Sequence, residues 1–162
     1  VIAGIKWASG DLNQLMEIKQ ALPGFKIFSG DDNLTYSAMR LGADGVISVL
    51  SNIIPGRIFQ FIAYLKNPVY WDTAQKNHYE LLDLMKAMFI QTNPIPVKTA
   101  LAIMYPEIFA NEFRSPMTPI TNIDDIERLF KALDDHDIIK TSYQETLTLL
   151  GMHKNSSESV DN

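Results

Sequence analysis

Residues 1–11, VIAGIKWASGD, place Lys6 at the end of a short apolar run and directly before a Ser-Gly-Asp turn. The run is rich in β-branched side chains, which is typical of a buried parallel strand. Asp11 stands where the N-cap of a helix would stand, and with Gln14 it predicts a capping box. Leucine and methionine then recur at helical spacing as far as Pro23, so this stretch predicts one strand, one turn and one helix.

Two further units of strand, polar turn and helix follow. Their strands are predicted at 25–28 and 45–49, and their helices at 34–41 and 55–66. Strands in repeated βα units lie parallel and are joined by right-handed crossovers. Both a doubly wound sheet and a (β/α)₈ barrel satisfy this pattern.

The strand patterns stop after residue 66, and the rest of the chain is predicted to be helical. We therefore expect βα units at 1–66, a helical region at 67–141, and a partly disordered tail at 142–162, whose end, KNSSESVDN, is polar. Three parallel strands alone would leave both edges of a sheet open. Since a (β/α)₈ TIM barrel needs about 250 residues, these units would be its last three, with the other strands upstream of Val1.

Composition limits the classes of function that the chain can have. Its 162 residues carry 14 Lys and Arg against 19 Asp and Glu, a formal charge of −5 that gives no electrostatic footprint for nucleic acid. No apolar run approaches the roughly 18 residues of a membrane span. The sequence has no cysteine, which excludes disulfides and thiolate metal sites. We expect a soluble cytoplasmic protein.

Ligand sites of parallel α/β folds lie at the carboxyl ends of the strands, where segments 6–11, 29–32 and 47–52 are predicted to meet. Lys6 is the unusual residue among them, because a lysine enclosed at the end of an apolar strand favours its neutral amine. A neutral amine attacks a ketone carbonyl and forms an imine. The pattern alone leaves a second interpretation open, in which Lys6 is an ordinary strand-end lysine whose ammonium group reaches water.

Other polar residues have structural interpretations beside the functional ones. Asp31 and Asp32 could pair as metal ligands, but no third ligand is evident, and Gly-Asp before a helix is more often a cap. His78, His136 and His153 lie in or beyond the helical region and are predicted to be surface or structural residues.

Five motifs together resemble the dihydrodipicolinate synthase / N-acetylneuraminate lyase family. They are Gly4-Ile-Lys6 with Ala8-Ser-Gly-Asp11, Ser29-Gly-Asp-Asp32, Gly42-Ala-Asp-Gly-Val-Ile-Ser-Val49, Asn93-Pro-Ile-Pro-Val-Lys98 and Pro116-Met-Thr-Pro-Ile-Thr121. A lysine followed by a Ser-Gly-Asp turn occurs across the whole family. The last three motifs resemble its dihydrodipicolinate synthase branch, and the resemblance covers roughly residues 1–140.

The resemblance implies that Lys6 is the Schiff-base lysine of a barrel enzyme and condenses with pyruvate. The resulting enamine would attack L-aspartate 4-semialdehyde, giving 4-hydroxy-tetrahydrodipicolinate for lysine (diaminopimelate) biosynthesis. Ile47 matches a position whose backbone contacts bound pyruvate, and Gly30 matches a turn near the same site. The resemblance implies no metal and no organic cofactor, because the lysine serves as the electron sink. It also implies a homo-oligomer, commonly a tetramer.

The chain departs from the family in two respects. The residue after the lysine is commonly acidic, whereas here it is Trp7, which strand alternation would turn toward the helices. The threonine pair for the pyruvate carboxylate, the proton-relay tyrosine and the lysine feedback site would all belong to residues before Val1.

Two alternative functions remain open. One is the same imine chemistry on sialic or 2-keto-3-deoxy sugar acids, and the other is a non-catalytic half-barrel that only binds or assembles. We predict that residues 1–162 alone are inactive and poorly folded.

Overall fold

The computed structural model of the chain describes residues 2–152. The strands in this range are β1 (Gly4–Trp7), β2 (Lys26–Ser29) and β3 (Gly45–Val46). The α-helices are α1 (Leu12–Ala21), α2 (Thr35–Arg40), α3 (Pro55–Lys66), α4 (Trp71–Ala87), α5 (Ile95–Met104), α6 (Ile123–Asp134) and α7 (Tyr143–Leu149). Short 3₁₀ turns precede α2, α3 and α4 at Asp32–Leu34, Leu50–Asn52 and Pro68–Tyr70. The polar end of the predicted disordered tail lies outside the described residues.

The three strands form one parallel sheet in the order β1-β2-β3. Lys6 is the partner of Phe28, and Phe28 is the partner of Gly45. The predicted parallel βα units are therefore confirmed. Because side chains alternate along a strand, Lys6 and Phe28 lie on one face of the sheet, and their neighbours Trp7 and Ile27 lie on the other.

The helix-facing side of the sheet carries the core of the βα units. Trp7 is 1% exposed, and Leu15 of α1 and Ile27 of β2 are fully buried in the same cluster. The prediction that Trp7 points toward the helices is confirmed. Burial of an indole of this size contributes several kcal/mol to stability, on the order of 25 cal/mol per Å² of apolar surface.

The start of α1 differs from its prediction in one detail. Asp11 is the N-cap, but its Oδ1 accepts from the amide of Asn13, at 2.9 Å. Gln14 does not reach back to the cap, because its Oε1 accepts from the hydroxyl of Ser9 at 2.6 Å. The predicted capping box at Asp11 is therefore wrong. A full capping box occurs instead at α7, where Ser142 and Glu145 bond each other's amides.

The third strand is shorter than the predicted range 45–49. Only Gly45 and Val46 pair with β2. The amides of Val49 and Leu50 each donate to Oδ2 of Asp32, at 2.9 Å. These bonds turn the chain into the following 3₁₀ turn and end the strand.

Asp44 holds the amino-terminal edge of the sheet together. Its carboxylate contacts the ammonium groups of Lys26, at 2.8 Å, and Lys19 of α1, at 3.1 Å, and accepts from the amide of Ile27 at 3.0 Å. The bond from Lys26, the Ile27 amide and Lys19 together hold the pKa of Asp44 well below its ordinary value. One side chain thus joins α1, β2 and the approach to β3.

The chain divides into two compact units between Met88 and Phe89. Helix α4 packs against α3, so residues 67–88 belong to the same unit as the strands, whereas the sequence grouped them with the helical region. In the second unit, Lys98 of α5 donates to the carbonyl of Glu112 at 2.6 Å, which fixes the loop that follows α5. None of the helices in residues 2–152 is both long and apolar enough to cross a membrane.

Candidate functional site

Lys6 is the second-last residue of β1, at the carboxyl edge of the sheet. Its side chain is exposed, and it forms no hydrogen bond or ion pair with any residue from 2 to 152. Lys6 is therefore not enclosed by residues 2–152, and its enclosure in the full-length protein stays a prediction. The physical reason is that its whole face of the sheet is open, since Phe28 and Ile47 on that face are 36% and 47% exposed.

Gly30 lies directly against Lys6. A β-carbon on Gly30 would lie 3.0 Å from Cε of Lys6 and 2.7 Å from Cβ of Ala8. The Gly30 amide donates to the carbonyl of Trp7 at 2.6 Å, which brings the ends of β1 and β2 together. The stem of Lys6 occupies space that any larger residue at position 30 would fill. Two of the three predicted site residues are thus in contact.

Ile47 is the third predicted site residue and follows β3. Its amide donates to the carbonyl of Ser29 at 2.8 Å. Its own carbonyl oxygen accepts no hydrogen bond from the residues that the structure describes. Strands lie about 4.8 Å apart, so Lys6 and the residues after β3 are separated by roughly 10 Å, with β2 between them. The Ile47 carbonyl is therefore an unused acceptor on the third strand segment from Lys6, at the same edge of the sheet.

Phe28 is a site residue that sequence reasoning missed. It is the strand partner of Lys6, and its ring covers the sheet between β1 and β3, where a β-carbon on Gly45 would lie 3.4 Å from it. Phe28 ends the second predicted strand as Lys6 ends the first, and alternation places both side chains on the same face of the sheet. This shared position was the signal that could have identified Phe28. The ring gives the exposed face an apolar floor beside the amine.

The two aspartates of the second turn have different roles. Asp32 is 2% exposed, and its Oδ2 accepts from the amides of Val49 and Leu50. Asp31 occupies the cap position, but its side chain makes no capping bond. Neither aspartate caps its own helix by a side-chain bond, contrary to the usual role of Gly-Asp at that position. Among residues 2–152, no three His, Cys, Asp or Glu side chains are grouped as a metal site requires.

His78 lies away from the strand ends, on α4. It is 9% exposed and its ring stacks on those of Tyr36 and Phe61, at 5.5 Å and 6.3 Å between centroids. Burial lowers the pKa of His78 below its ordinary value. The predicted structural role of this histidine is confirmed, whereas His153 lies outside the described residues.

Comparison with known proteins places this geometry in one family. The model of the dihydrodipicolinate synthetase family matches residues 1–134. The chain is 42% identical over 139 residues to the 4-hydroxy-tetrahydrodipicolinate synthase of a Hydrogenobaculum species, covering 85% of this chain and 46% of that protein. A second relative of the same name, from Endomicrobium trichonymphae, is also 42% identical over 139 residues, covering 86% and 46%. The chain therefore spans about half the length of the curated relatives it matches.

Solved structures agree with the sequence relatives. The dihydrodipicolinate synthase of Aquifex aeolicus is 34% identical with a TM-score of 0.80, over 87% of this chain and 47% of that one. The chloride-inhibited enzyme of Acinetobacter baumannii, complexed with pyruvate, is 36% identical with a TM-score of 0.77, over 85% and 46%. The predicted fold, the C-terminal part of a (β/α)₈ barrel followed by helices, is confirmed. This chain belongs to the dihydrodipicolinate synthetase family.

Proposed function

We propose that residues 1–162 are the imine-forming part of a lyase that condenses pyruvate with L-aspartate 4-semialdehyde to give 4-hydroxy-tetrahydrodipicolinate. The observation that carries the proposal is the position of Lys6, an unpaired amine at the carboxyl edge of a parallel sheet in a chain of this family. The names of the curated relatives supply the reaction. The pyruvate bound by the Acinetobacter baumannii relative supports the first substrate.

In the proposed reaction, the nitrogen of Lys6 attacks the ketone carbon of pyruvate, and water leaves to form an imine. Loss of a proton from the pyruvate methyl group gives an enamine, because the protonated imine accepts the electron pair. The enamine carbon attacks the aldehyde of the second substrate. The new alkoxide takes up a proton and becomes the 4-hydroxyl group. The amino group of the semialdehyde part then attacks the imine carbon and displaces the Lys6 amine, which closes the ring and restores Lys6 without loss of a second water. The lysine is the electron sink, so the proposal requires neither a metal nor an organic cofactor.

Gly30 and Ile47 have supporting roles in this proposal. Gly30 leaves the space that the stem of Lys6 occupies, 3.0 Å from where a β-carbon would lie. The carbonyl of Ile47 is an acceptor that faces no described donor, and we assign it to the bound pyruvate. The groups that hold the pyruvate carboxylate and relay protons are expected in the half of the family's barrel that this chain does not contain.

The test is imine trapping in the full-length protein that contains residues 1–162. The protein is incubated with pyruvate and borohydride, and the modified lysine is located by mass spectrometry. We expect the adduct on Lys6, loss of that adduct in Lys6→Arg, and an unchanged adduct in Lys66→Arg, because Lys66 is an exposed lysine at the end of α3. An adduct only on another lysine, or none, would reject the mechanism.

The second substrate and the assembly have separate tests. Turnover of pyruvate with aspartate semialdehyde is compared with cleavage of sialic acid and 2-keto-3-deoxy sugar acids, and we expect only the first to be rapid. We further propose a cytoplasmic homo-oligomer, commonly a tetramer in the family, which sedimentation of the full-length protein checks. One solved relative, 35% identical, is a monomeric variant, so a monomer would correct the assembly without affecting the chemistry.

A further inference from the structure

We infer that Asp32 is a positioning residue for the pyruvate site, because its buried carboxylate fixes the segment that carries the Ile47 carbonyl. The inference rests on the proposed function and adds a residue to it. Asp32 lies in the turn after β2, and the amides that it binds follow β3, 17 and 18 residues further along the chain.

The segment from Ile47 to Leu50 is held at its start by the last residue of β2 and at its end by the turn that follows β2. At its start, the Ile47 amide donates to the backbone of Ser29 at 2.8 Å. At its end, the amides of Val49 and Leu50 both donate to Oδ2 of Asp32 at 2.9 Å. The segment forms no longer strand, since β3 ends at Val46. Asp32 therefore supplies the contact that sets the direction of the chain after Ile47.

Burial makes this contact strong. Asp32 is 2% exposed, and Leu50 is fully buried. Bonds to an ionised acceptor are about twice as strong as neutral ones, and a buried amide left without an acceptor is costly. Removing the carboxylate would leave the buried amides of Val49 and Leu50 without an acceptor. Residues 47–50 would then have to change conformation to bring these amides to other acceptors. The carbonyl of Ile47 would move with these residues.

Asparagine and alanine at position 32 separate geometry from charge. The side-chain oxygen of asparagine can accept from both amides, although more weakly, whereas alanine can accept from neither. Pyruvate is an anion, so the loss of a nearby negative charge would by itself tighten its binding. Loss of position would weaken it. The sign of the change therefore distinguishes the two effects.

The experiment measures the pyruvate concentration that gives half-maximal borohydride trapping at Lys6 in the full-length protein. We expect a rise of about tenfold in Asp32→Ala, equivalent to about 1.4 kcal/mol, and a rise of about threefold in Asp32→Asn. Maximal trapping at saturating pyruvate stays close to that of the unsubstituted protein. The matched control is Asp31→Asn, which removes the same charge but breaks no bond, because the Asp31 side chain makes no bond to residues 2–152. Its half-maximal concentration should not rise.

The outcomes are separable. If the unsubstituted protein gives no adduct, the proposed function fails and the role of Asp32 falls with it. If the adduct forms, but both Asp32 variants keep the original half-maximal concentration and only lose folded protein, Asp32 is merely structural and the inference is overturned. Tighter binding in Asp32→Asn would overturn it as well. Should Asp32→Ala fail to fold, the threefold rise expected in Asp32→Asn still decides the question.

Discussion

Cε of Lys6 lies 3.0 Å from the position that a β-carbon would occupy on Gly30. The same β-carbon would be 2.7 Å from Cβ of Ala8 and 3.0 Å from the carbonyl oxygen of Trp7. The flexible lysine could move away, but the backbone of β1 cannot do so without disturbing its bond to the Gly30 amide. The absence of a side chain at position 30 is therefore a condition for placing the amine of Lys6.

Gly30→Ala should slow imine trapping at Lys6 by at least about tenfold, because the added methyl group displaces either the lysine stem or the end of β1. The rate of adduct formation at fixed pyruvate measures this effect. Gly24→Ala is the matched control, since nothing lies within 4 Å of its added β-carbon. Equal rates in the two variants would show that the contact between positions 6 and 30 has no role in the chemistry.

Asp44→Asn should lower the free energy of unfolding by about 1–3 kcal/mol at pH 7, because two lysines and a backbone amide lose an ionised partner. Folding lowers the pKa of Asp44, so its contribution is complete above the ordinary aspartate pKa of about 3.9 and is lost as the pH falls below it toward the folded-state pKa. Urea denaturation of the full-length protein at pH 7 and pH 3 tests both statements. If the free energies of unfolding of the unsubstituted protein and Asp44→Asn differ by the same amount at pH 7 and pH 3, the stabilising role of the ionised Asp44 is contradicted.

Trp7→Ala should destabilise the full-length protein by about 3–5 kcal/mol, because it leaves a cavity in the helix-facing core. Trp7→Phe should cost much less, since the Nε1 of Trp7 is buried without a hydrogen-bond partner and its removal relieves an unsatisfied donor. Chemical denaturation gives the two free energies. Because the indole faces away from Lys6, imine trapping should be unaffected in Trp7→Phe, and a large loss there would mean that the two faces of β1 are coupled.

Residues 1–162 expressed alone should show no turnover and no cooperative thermal transition. The face of the sheet that carries Lys6 is open, with Phe28 at 36% and Ile47 at 47% exposure, and Ile2 before β1 is 80% exposed. Apolar surface of this kind normally requires a covering element. Circular dichroism during heating, together with an assay of the condensation, checks the prediction. A sharp transition accompanied by turnover would refute it.

The order of the elements was predictable because it depends on local periodicity. Alternation along β1 gave the orientation of Trp7, and helical spacing gave α3 at its observed bounds, Pro55–Lys66. The exposure of Lys6 was not predictable, because the burial of a strand end depends on what covers the sheet from elsewhere in the chain. Sequence patterns describe a residue's neighbours along the chain, whereas burial depends on neighbours in space.

The roles of Asp11 and Asp32 show the same limit at the level of single bonds. Both aspartates stand before helices, and both were interpreted as caps. Asp11 has a partner two residues away and fits that interpretation, whereas the partners of Asp32 are 17 and 18 residues away, beyond the end of β3. No spacing rule links residues so far apart, so the bond could be found only from the fold.

Asp44 lies at the amino-terminal edge of the sheet and Lys6 at the carboxyl edge. This separation determines which positions can be substituted without loss of the fold. The contacts of Asp44 with Lys19 and Lys26 secure the elements from the side remote from the amine. Loops at the carboxyl edge can therefore accumulate substitutions while those anchoring contacts persist. For directed evolution of ligand specificity, libraries confined to positions after β1, β2 and β3, with Gly30 and Asp32 kept, would explore new specificities on an unaltered frame.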